Sequence, residues 1–350
     1  MSEAVRDALS RVIDGELLSR DDARAAMGAV MDGEATQAQL AALLVALRMR
    51  GESVDELTGF ATAMRERALH VEAPAGAIDV VGTGGDKSGT FNVSTTAALV
   101  VAAAGVPVAK HGNRAITSRA GSADVLDALG VRIDHDPASA GIALREIGFA
   151  FMFAPGFHPA MKHAGPTRRE IGVRTAFNLI GPLTNPAQVA RLLVGTADPT
   201  AAPKLAEVLR ALGAERAFVV HGAAVDELPL DGTGVLYDVT PGGVERREVD
   251  AAKLGLGRAS TSRLSGGTPA ENATIVESIL RGEPGARRDV VLLNAGAALV
   301  VGGAADTIEA GIERAGLTID AGLAMDLLAG LRTERRTAEA ARPVGEAAPA

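Results

Sequence analysis

The feature that most constrains the fold is the stretch from Asp79 to Asn113, where two short apolar segments enclose a glycine-rich turn and a helix-forming run. The turn, Gly82–Asp86, can adopt positive φ angles and bring its backbone close to a ligand, because glycine has no Cβ. The helix after it should begin near Asn92 and Ser94, where unpaired N–H groups and the helix dipole attract anions. Lys110, at the end of the second apolar segment, adds a full positive charge. The stretch therefore predicts a strand–loop–helix–strand unit that binds a phosphorylated small molecule.

Short apolar strands alternate with helices from Ile78 to His221. This alternation predicts a mostly parallel central sheet covered by helices on both faces. Ligands in such sheets bind beyond the carboxyl ends of the strands. Four loops that follow strands should therefore meet at one edge of the sheet: 82–86, 111–118, 155–169 and 222–228. A hairpin is also expected over 236–250, with its turn at 241–243.

The residues before this alternation show only the apolar spacing of helices, and Ser53 with Glu56 forms a capping-box pattern. About four helices are expected over 1–70. The predicted fold class is α/β, with a small helical N-terminal domain (1–72) and a larger α/β domain (73–335). Residues 336–350 are rich in Ala, Arg, Glu and Pro and have no apolar period, so we expect a disordered tail there.

Composition argues against several classes of function. The formal net charge of -8 disfavours binding to nucleic acid or to an anionic membrane surface, since both need a basic face. The chain has no Cys, which excludes disulfides, thiolate metal sites and a cysteine nucleophile. No signal segment is visible, and the longest apolar run is broken by Gly105 and Pro107 before it could span a bilayer. We expect a soluble, cytoplasmic protein.

Acidic residues in the predicted loops indicate a metal ion. The glycine-rich turn alone fits an ordinary tight turn as well as a phosphate site. Asp86 is unfavourable in an anion-binding loop, however, unless it orients the loop or meets a cation. Asp226 and Glu227 follow another predicted strand; such a pair is usually solvated, but Mg²⁺ prefers carboxylates combined with waters and substrate phosphates. The residues therefore favour a phosphate site assisted by Mg²⁺.

A second cationic segment, 156–170, lies between Gly and Pro residues and precedes a predicted helix. Arg168 and Arg169 stand near the start of that helix, where the dipole disfavours positive charge. This misfit indicates that at least one of them has an anionic partner. The planar fork of a guanidinium suits a carboxylate.

Taken together, these motifs closely resemble the anthranilate phosphoribosyltransferase family, within the wider group of nucleoside phosphorylase-like and phosphoribosyltransferase-like enzymes. The resemblance extends to about residue 330 and is most specific in the central motifs. Those motifs are Gly82–Asp86, Asn92–Thr95, Lys110–Arg114, Gly121–Asp124, His158–Arg169, Asn178–Pro186 and Asp226–Glu227. One departure is Thr117, where many members of the family carry Ser; the hydroxyl is kept, so little effect is expected.

The resemblance implies a Mg²⁺-assisted enzyme that transfers 5-phosphoribosyl from phosphoribosyl pyrophosphate (PRPP) to anthranilate in tryptophan biosynthesis, with no dedicated acid or base. It implies a homodimer formed through the helical domain, which helices from about 160–185 would complete. The implied PRPP-binding residues are Gly82, Thr83, Gly84, Gly85, Asp86, Thr90, Asn92, Ser94, Thr95, Lys110 and Ser122. The implied anthranilate-binding residues are Gly82, Asn113, His158 and Arg168, and the implied metal ligands are Ser94, Asp226 and Glu227.

Two other functions compete with this transferase. A pyrimidine nucleoside phosphorylase would share the architecture, but the Lys110–Arg114 motif and the Arg168 segment favour the transferase. A catalytically silent, nucleic-acid-binding relative is disfavoured by the net charge and by the intact phosphate loop.

Overall fold

The computed structural model describes residues 1–86, 88–115, 119–222 and 225–341. Its strands are β1 (Ile78–Gly82), β2 (Val108–Gly112), β3 (Phe149–Phe153), β4 (Arg191–Gly195), β5 (Arg216–His221), β6 (Thr233–Thr240) and β7 (Gly243–Asp250). Its helices are α1 (Glu3–Ile13), α2 (Arg20–Met31), α3 (Gln37–Arg50), α4 (Val54–Glu66), α5 (Val93–Ala103), α6 (Ser122–Ala128), α7 (Pro137–Glu146), α8 (Ala154–Phe157), α9 (Gly165–Ile171), α10 (Ala176–Ile180), α11 (Ala201–Ala211), α12 (Pro269–Leu280), α13 (Ala286–Val301), α14 (Ile308–Asp320) and α15 (Leu323–Ala340).

The strands form one sheet in the order β3-β2-β1-β4-β5-β6-β7. The first five are parallel, which confirms the mostly parallel sheet expected from the alternation. The last two are antiparallel and form the expected hairpin, in which Thr240 pairs with Gly243. Because parallel strands end at the same edge, the loops after β1, β2, β3 and β5 come together there.

One face of the sheet is covered by α5, α6 and the C-terminal helices α12–α15. Helix α5 lies at the centre of this layer and packs against α13 and α15. Its residues from Ala97 to Val101 are fully buried. Burial on every side explains why the sequence of α5 is apolar throughout rather than along one stripe.

The other face of the sheet packs against α7, α11 and the N-terminal helices, in one continuous apolar core. Side chains of Ser19, Thr36 and Ser53 cap α2, α3 and α4, and Ser53 forms the expected capping box with Glu56. Helix α10 contacts α3 and α4, and α9 contacts α3. The predicted fold class, a small helical N-terminal domain with a larger α/β domain, is confirmed.

The expected tail must be corrected in part. Residues 336–340 belong to α15, which continues to Ala340. Arg335 explains the extension, since it pairs with Glu339 one turn later and with Asp127 of α6. Residues 342–350 lie outside the described part of the chain. Within the described part, no helix is long and apolar enough to cross a membrane; the cytoplasmic location remains a prediction.

Candidate active site at the carboxyl edge of the sheet

The glycine-rich loop after β1 is bound to the acidic loop after β5. Gly84 and Gly85 adopt φ angles of +63° and +70°, which residues with a Cβ rarely adopt. The N–H of Gly84 donates to Oδ2 of Asp226 at 2.9 Å. A Cβ on Gly82 would lie 2.3 Å from the same Oδ2. Glycine is therefore required at Gly82 for contact with Asp226 and at Gly84 and Gly85 for the turn.

Three carboxylates gather beside this loop. Oxygens of Asp86, Asp226 and Glu227 lie within 4.8 Å of one another. Burial, followed by the charge of Asp86, raises the pKa of Asp226. Burial and the neighbouring charge of Asp226 raise the pKa of Glu227 well above its ordinary value. Like charges at this separation need protons or a cation, and an all-oxygen set suits Mg²⁺.

Helix α5 begins next to the same loop, and its N-terminus lacks a side-chain cap. Asn92 occupies the N-cap position but makes no capping hydrogen bond. The first-turn N–H groups, including those of Ser94 and Thr95, thus have no side-chain acceptor. Oγ1 of Thr95 is buried and has no partner either. Such an end can accept a phosphate.

Lys110 is buried rather than open to the edge. Its ammonium donates to the carbonyl of Val80 at 2.6 Å, and only 2% of the residue is exposed. Burial lowers the pKa of Lys110, while the charges of Asp79, Glu227 and Asp226 raise it. The ammonium therefore balances negative charge beneath the acidic cluster, and its contact with PRPP remains a prediction.

The loops after β2 are partly held by their own residues. Oγ of Ser122 donates to the carbonyl of Asn113 at 3.3 Å, and Asn113 is exposed. Arg114 forms an ion pair with Asp124 at 3.0 Å. Between β1 and α5, the hydroxyl of Thr90 lies 3.0 Å from that of Ser88. Thr117, the departure from the family pattern, lies outside the described residues, as does all of 116–118.

Of the two arginines in the cationic segment, Arg168 is the partly buried one. Its guanidinium stacks 4.7 Å from the ring centroid of Phe177. Burial lowers its pKa, and no ion pair is found for it within the described residues. Arg169, by contrast, is exposed. A partly buried cation without a counter-ion is costly, so Arg168 is the better candidate for an anionic ligand.

Two neutral imidazoles line the same region. The rings of His111 and His158 lie 5.1 Å apart and are buried. Burial lowers the pKa of His111 to about 3 and that of His158 to about 4. The contact also places the loop after β3 against the end of β2. At neutral pH both rings are uncharged and can face an aromatic ligand.

Buried polar atoms without partners concentrate at this edge, although such atoms normally form hydrogen bonds. A ligand or water would satisfy them. The described residues at the edge that carry such an atom are Thr83, Asp86, Thr95, His111, His158 and Thr167.

Sequence reasoning missed two residues that hold the site. Arg174 donates to the carbonyl of Gly84 at 2.7 Å and so ties the segment after α9 to the glycine-rich loop. Asn185 donates to Asp79 at 2.7 Å and to the carbonyl of Ala109 at 2.8 Å. Asn185 stood within a motif of the resemblance, but a lone asparagine before proline carries no signal of a buried partner. No local pattern around Arg174 indicates its contact with Gly84 either.

The fold and the site define a glycosyl transferase of two domains. Residues 75–325 match the family model "Glycosyl transferase family, a/b domain", and residues 6–68 match "Glycosyl transferase family, helical bundle domain". Two curated relatives, both called anthranilate phosphoribosyltransferase, are similar over nearly their whole length. The one from Azorhizobium caulinodans is 50% identical over 92% of this chain and 94% of its own, and the one from Thermomicrobium roseum is 51% identical over 94% and 96%.

Solved structures agree with these relatives. Anthranilate phosphoribosyltransferase from Thermus thermophilus has a TM-score of 0.90 and 44% identity, covering 94% of this chain and 99% of its own. The Saccharomyces cerevisiae enzyme in complex with PRPP and Mg has a TM-score of 0.88 and 25% identity, covering 96% and 99%. The chain belongs to the anthranilate phosphoribosyltransferase family, as the resemblance implied.

Proposed function

We propose that this protein transfers the 5-phosphoribosyl group of PRPP to the amine of anthranilate, with release of pyrophosphate, as a step of tryptophan biosynthesis. The observation that carries the proposal is the set of unpartnered buried polar atoms at one edge of the sheet. One of them belongs to a residue that suits phosphate, Thr95, and two belong to the neutral imidazoles of His111 and His158. A phosphorylated substrate suits Thr95, and an aromatic carboxylate suits the guanidinium of Arg168 and the imidazoles.

The phosphorylated substrate is assigned to the glycine-rich loop and the start of α5. There the backbone of Gly82–Gly85 is open to close approach, and the N–H groups of Ser94 and Thr95 have no side-chain cap. Thr83, Asp86, Thr90, Asn92, Lys110 and Ser122 complete the predicted set. N–H donors placed in advance stabilise charge that develops on the departing pyrophosphate.

Anthranilate is assigned to the region of Arg168, His158, Asn113 and Gly82. The carboxylate would pair with the guanidinium of Arg168, which has no counter-ion among the described residues. The aniline nitrogen carries a free lone pair at pH 7, so positioning can replace a strong base.

The acidic cluster fits Mg²⁺ by its donor chemistry. Asp226, Glu227 and the hydroxyl of Ser94 would hold the ion, with Asp86 nearby. Burial and neighbouring charges raise the pKa values of Asp226 and Glu227, and a bound cation would relieve this repulsion. When bound, the ion supplies positive charge for pyrophosphate oxygens. Gly84 fixes Asp226, so the same loop serves both groups.

We also infer that the protein is a homodimer joined through its helical domain, residues 1–72 together with the helices of about 160–185. Large apolar side chains remain exposed there: Ile13 is 68% exposed, Leu17 60% and Met49 83%. A hydrogen bond from Arg50 to the carbonyl of Glu16 places the ends of α1 and α3 side by side. Light scattering should show a dimer, and Met49→Lys should weaken it; an unaffected mass would place the interface elsewhere.

Pyrophosphate release tests the reaction. We expect release only when PRPP, anthranilate and Mg²⁺ are all present, in equal amount to the phosphoribosyl anthranilate detected by mass spectrometry. Phosphate-dependent cleavage of pyrimidine nucleosides, with no pyrophosphate formed, would instead establish the phosphorylase.

A further inference from the structure

Asn272 of α12 forms a hydrogen bond with the side chain of Asn92, the N-cap residue of α5. Its Nδ2 donates to Oδ1 of Asn92 at 2.9 Å, across 180 residues of sequence. Its Oδ1 accepts the N–H of Gly267 at 2.7 Å. Nδ2 of Asn92 donates to the carbonyl of Ala120 at 3.2 Å. Asn272 is 2% exposed, and Asn92 is partly buried.

Two backbone groups fix the direction of the whole network. The N–H of Gly267 can only donate, so it must face the oxygen of Asn272. The carbonyl of Ala120 can only accept, so it must face the nitrogen of Asn92. The remaining atoms, Nδ2 of Asn272 and Oδ1 of Asn92, then form a donor–acceptor pair. Neither amide can rotate without losing two hydrogen bonds.

This arrangement keeps Asn92 from capping its own helix. An asparagine at an N-cap ordinarily accepts a hydrogen bond from an N–H of the first turn. Ser19, Ser53 and Thr268 do so at their helices in this chain, whereas Asn92 does not. Its oxygen instead faces Nδ2 of Asn272, and the buried Oγ1 of Thr95 has no partner.

We propose that Asn272 is a positioning residue that holds Asn92 away from the first turn of α5 and so keeps that turn open for a phosphate group of PRPP. The inference rests on the proposed function. Without Asn272, the oxygen of Asn92 gains freedom to rotate onto the N–H groups of the first turn. The helix would then cap itself and compete with the substrate.

A double-mutant cycle tests this role. Calorimetry with PRPP and Mg²⁺ should show about tenfold weaker binding for Asn272→Ala, the loss typical of one hydrogen bond. The KM for anthranilate should change less than about twofold. In the Asn92→Ala background, where no side chain remains to cap the helix, adding Asn272→Ala should have little further effect. Equal losses in both backgrounds would overturn the proposal.

A second variant guards against simple misfolding. Asn272→Asp keeps an oxygen for the N–H of Gly267 but, as a carboxylate, cannot donate to Asn92, so it should bind PRPP weakly. The buried carboxylate should lower the melting temperature, and a cooperative thermal transition above the assay temperature shows that the variant is folded. Thr274→Ala, at an exposed position of the same helix, is the matched control and should bind PRPP normally. Normal binding by Asn272→Asp would contradict the proposal. If the unmodified protein fails to bind PRPP, the proposed function itself fails and the inference falls with it.

Discussion

Asp226 reaches across strand β4 to accept the N–H of Gly84 at 2.9 Å, although the two residues are 142 positions apart in sequence. Gly82 of β1 and Gly195 of β4 lie side by side beneath it in the sheet. A Cβ on Gly195 would lie 1.5 Å from the carbonyl oxygen of Asp226, and one on Gly82 would lie 2.3 Å from its carboxylate. Because Gly82 and Gly195 have no side chains, the acidic loop can pack directly against the sheet.

Gly195→Ala should displace that loop. The new Cβ meets backbone at Asp226, which cannot move aside as a flexible side chain could. We expect kcat/KM to fall roughly 100-fold, since small misplacements of a site have effects of this size. Steady-state kinetics, followed by the loss of anthranilate fluorescence, would measure it. Gly330→Ala, whose Cβ meets nothing within 4 Å, is the control and should keep full activity; equal kinetics for both variants would contradict the role of Gly195.

Asp226→Asn combined with Glu227→Gln should raise the Mg²⁺ concentration needed for half-maximal activity at least about tenfold, because two charged ligands are lost. A Mg²⁺ titration at saturating substrates measures the shift. Binding of Mn²⁺, followed by its paramagnetic resonance signal, provides a readout independent of turnover. If the Mg²⁺ titration is unchanged, Asp226 and Glu227 are not metal ligands and form an ordinary acidic loop.

Arg168→Ala should weaken the use of anthranilate much more than the use of PRPP. The loss of a charge-assisted hydrogen bond is worth about 1.5–3 kcal/mol, or roughly 10- to 100-fold in the KM for anthranilate. Arg169→Ala, one residue away and exposed, should change neither constant by more than about twofold. Parallel losses for both substrates in Arg168→Ala would remove its carboxylate role.

His135 should make the stability of the fold depend on pH. Burial lowers its pKa to about 4 from an ordinary 6.5, so below pH 6.5 the unfolded chain binds a proton that the folded chain does not. Stability is therefore lost as the pH falls from 6.5 to about 4, by up to about 3 kcal/mol. Urea unfolding of His135→Gln should lack this component. If the free energy of unfolding depends on pH in the same way for His135→Gln and for the unmodified protein between pH 6.5 and 4, the assignment to His135 is contradicted.

Much of this arrangement could be predicted from the sequence, because the relevant signals are local. The alternation of strands and helices predicts the parallel sheet, and the proline and glycines at 241–243 predict the turn of the hairpin. The start of β2 at Val108 also follows from a local signal, because Pro107 lacks an N–H and contributes only its carbonyl, to Ile78. By contrast, α15 persisted where composition indicated disorder, because partners on α6 stabilise it.

The contacts that hold the site could not be predicted, because each depends on residues far apart in sequence. Arg174, Asn185 and Asn272 act on Gly84, Asp79 and Asn92 respectively, at separations of 90, 106 and 180 residues. No local pattern distinguishes such residues from surface polar groups. The burial of Lys110 was also hidden, since a lysine at a strand end can point to solvent or inward with the same sequence.

The most direct test of the proposed transfer is the loss of anthranilate fluorescence with purified protein. We predict a loss that needs both PRPP and Mg²⁺, stops with EDTA, and resumes when excess Mg²⁺ is restored. Persistent fluorescence, with folded protein and intact substrates, would contradict the assignment of this edge of the sheet to PRPP and anthranilate.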